Sequence, residues 1–251
     1  DLSICEIGVE FGTNTQLLMD YCDSAGGRYL GIDTAPNENA VKGIKARGHE
    51  IIVDTSINAL KSLPAFDAYF IDGDHNYYTV FNELTLINKT VSDQRSPLIF
   101  LHDVCWPFEY RDAYYNISNI PQEGLNNPIK NKDRGPVPNE DDKLTDSGYW
   151  RDGNAYWALH SGGGKNGVYI AVKDFIEKNQ DKYSHIRIPQ HYGLGIIWEK
   201  NGSYSTDFFK LIDALKISLE LLDDSLGITE LKRIVYMLDA DKALWMESSR
   251  F

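Results

Sequence analysis

The sequence predicts an α/β protein with a doubly wound, mostly parallel sheet. Over the first hundred residues, short apolar runs alternate with amphipathic stretches, which is the pattern of repeated βα units. The runs are nearly all apolar, as expected of strands that helices cover on both faces. Strands are predicted at Leu2–Ile7, Tyr29–Ile32, Glu50–Val53, Ala68–Ile71 and Leu98–Leu101. Helices are predicted near Thr13–Tyr21, Asn39–Arg47, Ile57–Ser62 and Val80–Asn88.

The chain changes character after the fifth predicted strand. Residues 106–165 are rich in Asn, Asp, Gly and Pro, yet they also hold many aromatic residues, in which a disordered segment would be poor. We therefore expect a long insertion that folds over the domain as a lid or substrate-binding segment. The alternative is a mobile surface excursion.

Two further strands and a helical extension complete the predicted fold. A helix over Val168–Asn179 leads into a hairpin of Ile186–Pro189 and Gly193–Glu199 that closes the sheet. From Ser205 onward apolar side chains recur at helical spacing, and Gly227 divides this stretch into two helices that serve packing or oligomerisation. The predicted organisation is a domain over 1–200, with the insertion at 106–165, and a C-terminal helical hairpin within 203–251.

Charge and composition exclude some function classes. The 251 residues include 37 Asp and Glu against 25 Lys and Arg, a formal net charge of −12. A protein that follows nucleic-acid phosphates needs a Lys/Arg face, so we expect no nucleic-acid partner. No apolar run approaches the ~20 residues that span a bilayer, so we expect no membrane partner.

The cysteines bear on the cellular compartment, and the first residues bear on whether the sequence is expected to be part of a longer protein. Cys5, Cys22 and Cys105 form no CxxC pair and indicate neither a zinc site nor a disulfide framework, so we expect reduced thiols in the cytoplasm. The sequence opens directly on the predicted strand Leu2–Ile7, so it is expected to be a piece of a longer protein.

The first candidate ligand site is the turn after the first strand. Its sequence, from Glu6 through Gly8 to Gly12, lets the backbone turn sharply and lets a ligand approach the main chain. A dinucleotide fold would show GxGxxG, whereas here Glu10 and Phe11 stand inside the loop. The turn suits a ligand without a pyrophosphate, such as S-adenosylmethionine; a turn with no ligand is the alternative.

Polar residues also end the second and third strands. Asp33 follows the second strand about 25 positions beyond the first glycine, where a carboxylate can accept ribose hydroxyls. Asp54 and Thr55 follow the third strand, where a carboxylate can meet an adenine amino group. Each of them alone could be a helix cap. Three such turns in register along one sheet edge favour a nucleoside-type cofactor.

The fourth and fifth strands end in a richer set. Asp72, Asp74 and His75 follow the fourth strand, and His102 and Asp103 follow the fifth. Carboxylates and imidazoles at neighbouring strand ends can hold a divalent ion or place a general base beside a substrate hydroxyl. The structural alternative is that Asp72 and Asp103 brace adjacent βα loops.

These motifs carry a family resemblance. Glu-x-Gly-x-x-x-Gly, Gly-Ile-Asp, Asp-Thr-Ser, Phe-Ile-Asp-Gly-Asp-His-x-Tyr and Leu-His-Asp, in this order, resemble a class I S-adenosylmethionine-dependent methyltransferase. The likeness is to the branch whose fourth strand ends in Asp-Gly-Asp-His, and it covers roughly residues 1–105, supported by 166–199. It implies a Rossmann-like, seven-stranded sheet whose last strand is antiparallel.

The resemblance also implies roles for individual residues. The methionine part of the cofactor would meet Glu6, Gly8 and Gly12, the ribose Asp33, and the adenine Asp54 and Thr55. Asp72 belongs to the predicted cofactor set and, with His102 and Asp103, to a predicted metal set for Mg or Mn, since related metal-dependent O-methyltransferases hold magnesium at these strand ends. His102 stands where a carboxylate is usual, and magnesium prefers oxygen ligands.

The predicted activity is O-methylation of a hydroxyl on a sugar, a glycoside or another small-molecule natural product. A hydroxyl needs a base or a metal at neutral pH, and we expect His75 or His102 to take the proton, with Asp103 orienting that histidine or sharing an ion with Asp72. His191, in the predicted hairpin turn, is an outside candidate. The insertion would supply the acceptor pocket, and the C-terminal helices a homo-oligomer contact.

Two other function classes remain open. One is an α/β enzyme that uses another nucleotide cofactor, such as a dehydrogenase, against which the missing GxGxxG counts. The other is a non-catalytic binding or assembly module that docks through its C-terminal helices. Turnover discriminates the last class, because a module that holds the cofactor would never form S-adenosylhomocysteine.

Overall fold

A computed structural model shows five βα-type strands with helices between them. It describes residues 2–92, 96–130, 134–138, 140–145, 148–149, 155–221 and 233. The first half contains β1 (Ser3–Ile7), α1 (Thr13–Ser24), β2 (Arg28–Asp33), α2 (Glu38–Ala46), β3 (Glu50–Val53), α3 (Ser56–Leu60), β4 (Ala68–Ile71), α4 (Tyr77–Thr90) and β5 (Leu98–His102).

The second half begins with short strands. They are β6 (Ala113–Tyr114), β7 (Pro128–Lys130), β8 (Gly135–Val137), β9 (Glu140–Thr145) and β10 (Tyr156–Ala158). The chain then returns to the main sheet through α5 (Val168–Lys178), β11 (Tyr183–Ile188) and β12 (Leu194–Glu199). Residues 206–221 form a further helix, α6.

The main sheet has seven strands in the order β11-β12-β5-β4-β1-β2-β3. Strands β1 to β5 are parallel to their neighbours, and β12 is antiparallel to both β5 and β11. The predicted doubly wound, mostly parallel sheet with an antiparallel last strand is therefore confirmed. That last strand lies second from the edge, between β5 and β11.

Helices cover both faces of the sheet. On one face Leu84 of α4 and Phe175 of α5 pack against Ile99 and Leu101 of β5. On the other face α1 and α2 form a smaller apolar cluster with β1 and β2. This double cover explains why β1 is buried along its whole length.

The start of α4 shows a limit of the apolar pattern. Periodicity predicts a helix from Val80, but the helix begins at Tyr77 because the Asn76 side chain accepts a hydrogen bond from the backbone N–H of Thr79 at 2.8 Å. An Asn cap of this kind satisfies an N–H that has no partner within the helix.

The described parts of the insertion are folded and anchored to the domain. The buried Asp112 carboxylate accepts hydrogen bonds from the backbone N–H of Tyr77 at 2.7 Å and of Gly167 at 2.6 Å. It also accepts from the Tyr114 hydroxyl at 2.7 Å and from the Asn126 side-chain amide at 2.6 Å. One carboxylate thus joins the start of α4, the insertion and the start of α5.

Helix α6 packs on the outer part of the sheet. Ile212 is 2% exposed and lies in an apolar cluster with Ile186, Ile196 and Trp198. Of the predicted second helix beyond Gly227, the structure describes only residue 233, which is helical. Among the helices that the structure describes, none is both long and apolar enough to cross a membrane.

Candidate active site

The turn after β1 brings the backbone of two strands together. Gly8 has φ +94°, and a Cβ at this position would lie 2.2 Å from the carbonyl oxygen of Asp72 after β4. Gly12, at the start of α1, has φ +79°. Both positions require glycine because other residues rarely adopt this conformation. The turn therefore lies directly beside the end of β4.

Asp33 braces this turn. One carboxylate oxygen accepts hydrogen bonds from the backbone N–H groups of Val9 and Glu10 at 2.9 and 2.8 Å, and the other accepts from Ala35 at 2.7 Å. A carboxylate has about four acceptor positions, so this bracing role and the predicted ribose contact are compatible. The ribose contact itself stays a prediction.

Glu6 lies beneath the turn. Its side chain is buried, and one carboxylate oxygen accepts hydrogen bonds from the hydroxyls of Thr15, at 2.5 Å, and Tyr29. Burial raises the pKa of Glu6, and the two hydroxyls oppose that shift. The structure therefore shows Glu6 supporting the turn from inside, while its predicted contact with the methionine part stays untested.

Asp54 and Thr55 end β3. The Thr55 hydroxyl caps α3 by accepting from the backbone N–H of Asn58 at 3.4 Å, and Asp54 accepts from the N–H of Thr55 at 2.6 Å. The capping alternative is thus realised. Asp54 is also exposed, so its carboxylate remains accessible at the edge where an adenine contact is predicted.

Four of the predicted residues meet after β4 and β5. The Asp72 Oδ1 atom lies 3.4 Å from His102 Nδ1 and 3.6 Å from His75 Nε2. The Asp103 Oδ2 atom lies 3.3 Å from His102 Nδ1 and forms a close contact with His75 Nε2. We call Asp72, His75, His102 and Asp103 the edge cluster.

The edge cluster has a buried half and an open half. His75 and Asp103 are buried, whereas the side chains of His102 and Asp72 are 37% and 53% exposed. Asp103 adopts φ +62°, an uncommon conformation for a residue other than glycine. An incoming molecule would therefore meet Asp72 and His102 first.

Attraction between the carboxylates and the histidines sets the direction of the pKa shifts in the edge cluster. Burial alone would raise the pKa of Asp72 and of Asp103, but the neighbouring histidines outweigh it and hold both pKa values below their usual range. Burial alone would lower the pKa of His102, but hydrogen bonds to Asp103 and Asp72 raise it to about 10. As the cluster stands, His102 is protonated at neutral pH.

Two other predicted polar residues stay outside the edge cluster. Asp74 turns toward α4, where its Oδ2 accepts from the Thr79 hydroxyl at 3.1 Å. His191 is exposed in the turn between β11 and β12 with φ +52°. Its neighbour Tyr192 lies beside the cluster instead, with its ring edge-on to His102 at 6.5 Å between centroids.

Aromatic residues of the insertion, to which the sequence assigned no individual roles, lie around the site. Phe108 stacks on His75 at 4.5 Å between ring centroids, and Tyr115 lies 5.5 Å from the same ring. Tyr149 packs against Tyr192 at 5.6 Å. The aromatic richness of the insertion was visible in the sequence, but which rings reach the edge cluster depends on how the insertion folds.

The donor set suits a divalent ion. One atom each from Asp72, His102 and Asp103 lies within 4.8 Å of the others, and this is the one such group of three among the residues that the structure describes. Two carboxylates and an imidazole fit an ion that accepts nitrogen, so manganese matches better than magnesium.

Comparisons with known proteins agree with this architecture. Residues 5–104 match the protein-family model described as "Methyltransferase domain". Among curated proteins, none matches this sequence significantly.

Several solved structures resemble the fold at low identity. The SAH-bound methyltransferase of Podospora anserina is 17% identical over 79% of this chain and 72% of its own, with a TM-score of 0.47. The O-methyltransferase of Bacillus cereus in complex with SAH is 15% identical over 79% and 74%, with a TM-score of 0.46. An rRNA methylase of Streptococcus thermophilus is 11% identical over 80% and 87%, with a TM-score of 0.41.

The family match covers the strands that carry the glycine turn and the edge cluster, from β1 to the residue after Asp103. The sheet order around them is the one that the sequence motifs imply. Residues 5–104 of this chain are therefore similar to the family described as "Methyltransferase domain".

Proposed function

We propose that this protein transfers the methyl group of S-adenosylmethionine to a hydroxyl oxygen of a small molecule such as a sugar, a glycoside or another natural product. The observation that carries the proposal is the placement of the edge cluster beside the glycine turn, where Gly8 approaches the backbone of Asp72. A cofactor in the turn and an acceptor at the cluster would be neighbours, which alignment for methyl transfer requires.

The cofactor is proposed to lie across the ends of β1, β2 and β3. Gly8 and Gly12 let it approach the main chain, and Asp33 would accept the ribose hydroxyls while holding the turn. Asp54 and Thr55 lie at the next strand end for the adenine. Glu6 supports the turn from below.

The edge cluster is proposed to receive the acceptor proton. In the reaction, the acceptor oxygen bonds to the methyl carbon, the sulfonium–carbon bond breaks, and the hydroxyl proton goes to a protein base. His102 is open to the acceptor, whereas the buried Asp103 contacts it and would orient it, and the buried His75 contacts Asp103 in turn. Because two carboxylates hold His102 protonated, it must lose that proton before it can act as the base.

A divalent ion is the alternative to His102 as the base. With the ion bound, His102 would be a ligand and could not accept the acceptor proton, which would pass to solvent water instead. Asp72, His102 and Asp103 would hold the ion, which would act as a Lewis acid that lowers the pKa of the acceptor hydroxyl. Binding of the ion to His102 would replace the proton there, since a metal ligand must be deprotonated.

A turnover assay tests the proposal. Metal-stripped protein, alone and with magnesium or manganese, is offered S-adenosylmethionine and a panel of hydroxylated small molecules, and S-adenosylhomocysteine is quantified by mass spectrometry. We expect turnover with some acceptor, and a loss of about 100-fold or more in His102→Ala and Asp103→Asn. Asp207→Asn, an exposed carboxylate on α6, is the matched control and should retain full activity.

Two results would contradict the proposal. Cofactor binding without product for any acceptor would favour the non-catalytic module. A methylated product whose new methyl group is on nitrogen or carbon would rule out O-methylation.

The predicted homo-oligomer is also a proposal. Leu211, Ile217 and Leu221 of α6 are exposed and offer an apolar surface for a second copy. Light scattering should then show a dimer or larger assembly that Ile217→Asp weakens, and a monomer at high concentration would contradict it.

A further inference from the structure

A second concave site lies in the insertion, apart from the edge cluster. It is a cleft of about 160 Å³ between the small sheet of β7 and β10 and the β8–β9 hairpin. Three basic side chains line it: Lys130 at the end of β7, Arg134 just before β8, and His160 shortly after β10. The convergence of three basic residues is notable in a chain with a formal net charge of −12.

Among the described side chains that line the cleft, Lys130 and Arg134 carry positive charges and Asp142 carries a negative one. The Asp142 Oδ1 atom accepts from the backbone N–H of Ser161 at 3.1 Å and lies 3.2 Å from His160 Nδ1. Asp142 is therefore engaged with the chain around His160. Among the carboxylates whose side chains the structure describes, none lies within 4 Å of the Lys130 ammonium.

Apolar side chains stand beside the basic ones. Leu159 and Ile129 are 39% and 37% exposed in the cleft, although both are large apolar residues, and the buried Trp157 forms part of its wall. A ligand that covers Leu159 and Ile129 gains hydrophobic contact. The cleft thus combines a cationic end with an apolar surface.

We propose that this cleft binds a small organic molecule through a phosphate or diphosphate group. Arg134 and Lys130 suit an anion with more than one negative charge, since a guanidinium offers paired donors and an ammonium a compact charge. The apolar residues would contact the organic part of the ligand.

Stacked aromatic rings connect the cleft to the edge cluster. Trp157 stacks on Phe108 at 5.6 Å between ring centroids, and Phe108 stacks on His75 at 4.5 Å. The ligand of the cleft is therefore the molecule that accepts the methyl group, and this molecule carries the phosphate. This identification rests on the proposed function. The phosphate site itself does not rest on it.

Calorimetric titration of inorganic pyrophosphate tests the site. We expect pyrophosphate to bind the wild type, and its affinity to fall at least tenfold in Lys130→Ala/Arg134→Ala. Lys210→Ala, which removes an exposed cation from α6, is the matched control and should bind as the wild type does. Lys130→Arg/Arg134→Lys, which keeps both charges, should retain binding within about threefold, and Asp142→Asn should tighten it.

Three other results would contradict the proposed phosphate site. No pyrophosphate binding at millimolar concentration, equal binding by the double alanine variant, or acetate bound as tightly as pyrophosphate would each overturn the phosphate site. Circular dichroism confirms that each variant is folded. Because this titration uses neither cofactor nor acceptor, its failure is distinguishable from failure of the proposed methyl transfer.

Discussion

Gly8 shows what a single residue contributes to the site. Its positive φ and the 2.2 Å approach that a Cβ would make to the Asp72 carbonyl oxygen both exclude a side chain. Gly8→Ala should therefore lower the free energy of unfolding by about 3 kcal/mol or more, from backbone strain plus a clash with the Asp72 backbone. Urea denaturation measures this change.

Gly48 provides the control for Gly8. It also has a positive φ, +78°, but a Cβ there would meet nothing within 4 Å. Gly48→Ala should cost about 1 kcal/mol, from backbone strain alone. Equal losses in the two variants would show that the approach of Gly8 to Asp72 does not matter.

Glu83 makes stability depend on pH. Its side chain is fully buried on α4, where it accepts from the Ser56 hydroxyl, and burial raises its pKa to about 8. Between the ordinary carboxyl pKa and about 8, the folded state keeps a proton that the unfolded state has lost. Stability should therefore fall as pH rises through this range and level off above it.

Glu83→Gln removes this titration. From pH 5 to pH 8, the wild type should lose about 2 kcal/mol or more of unfolding free energy relative to Glu83→Gln. Glu177→Gln, an exposed carboxylate on α5, should show no such shift. Parallel stability curves for wild type and Glu83→Gln would contradict the assignment.

Single residues also show where sequence reasoning ends. The strand-end positions of Asp33, Asp72 and Asp103 could be predicted, because the carboxyl ends of parallel strands meet at one edge. The burial of Glu6 under the turn could not, since it depends on Tyr29 from the neighbouring strand. A spacing pattern places a carboxylate at an edge but does not tell which hydrogen bonds occupy it.

Among the elements, the insertion depends on Asp112. Its carboxylate accepts four hydrogen bonds from buried or partly buried groups. Asp112→Ala would leave these donors unsatisfied and should cost about 3–5 kcal/mol in urea denaturation. Asp174→Ala, which removes a carboxylate that accepts one bond from the Tyr77 hydroxyl, should cost about 1 kcal/mol. Similar costs for the two would mean that Asp112 is not the anchor.

The strands of the main sheet were predictable to within a few residues, whereas those of the insertion were not. Each main strand is a nearly continuous apolar run, so its pattern is readable without its neighbours. In contrast, β6, β7 and β10 are two or three residues long and pair only through tertiary folding. Such short segments carry no usable periodicity.

At the scale of the whole molecule, α6 completes the sheet's outer surface. Ile212→Asp would place a charge in the cluster around Trp198 and should cost more than about 3 kcal/mol. Ala214→Asp changes an exposed residue of the same helix that is not one of the three residues proposed to form the homo-oligomer surface, and it should cost less than about 1 kcal/mol. Equal effects in urea denaturation would show that α6 does not pack here as described.

The central claim is that the sheet edge binds S-adenosylmethionine, and calorimetric titration tests it most directly. The wild type should bind the cofactor in the micromolar range, and Asp33→Ala should weaken binding at least tenfold, because Asp33 holds the turn and is proposed to accept the ribose hydroxyls. Asp207→Ala should bind as the wild type does. Absence of binding, or equal affinity in Asp33→Ala, would contradict the account.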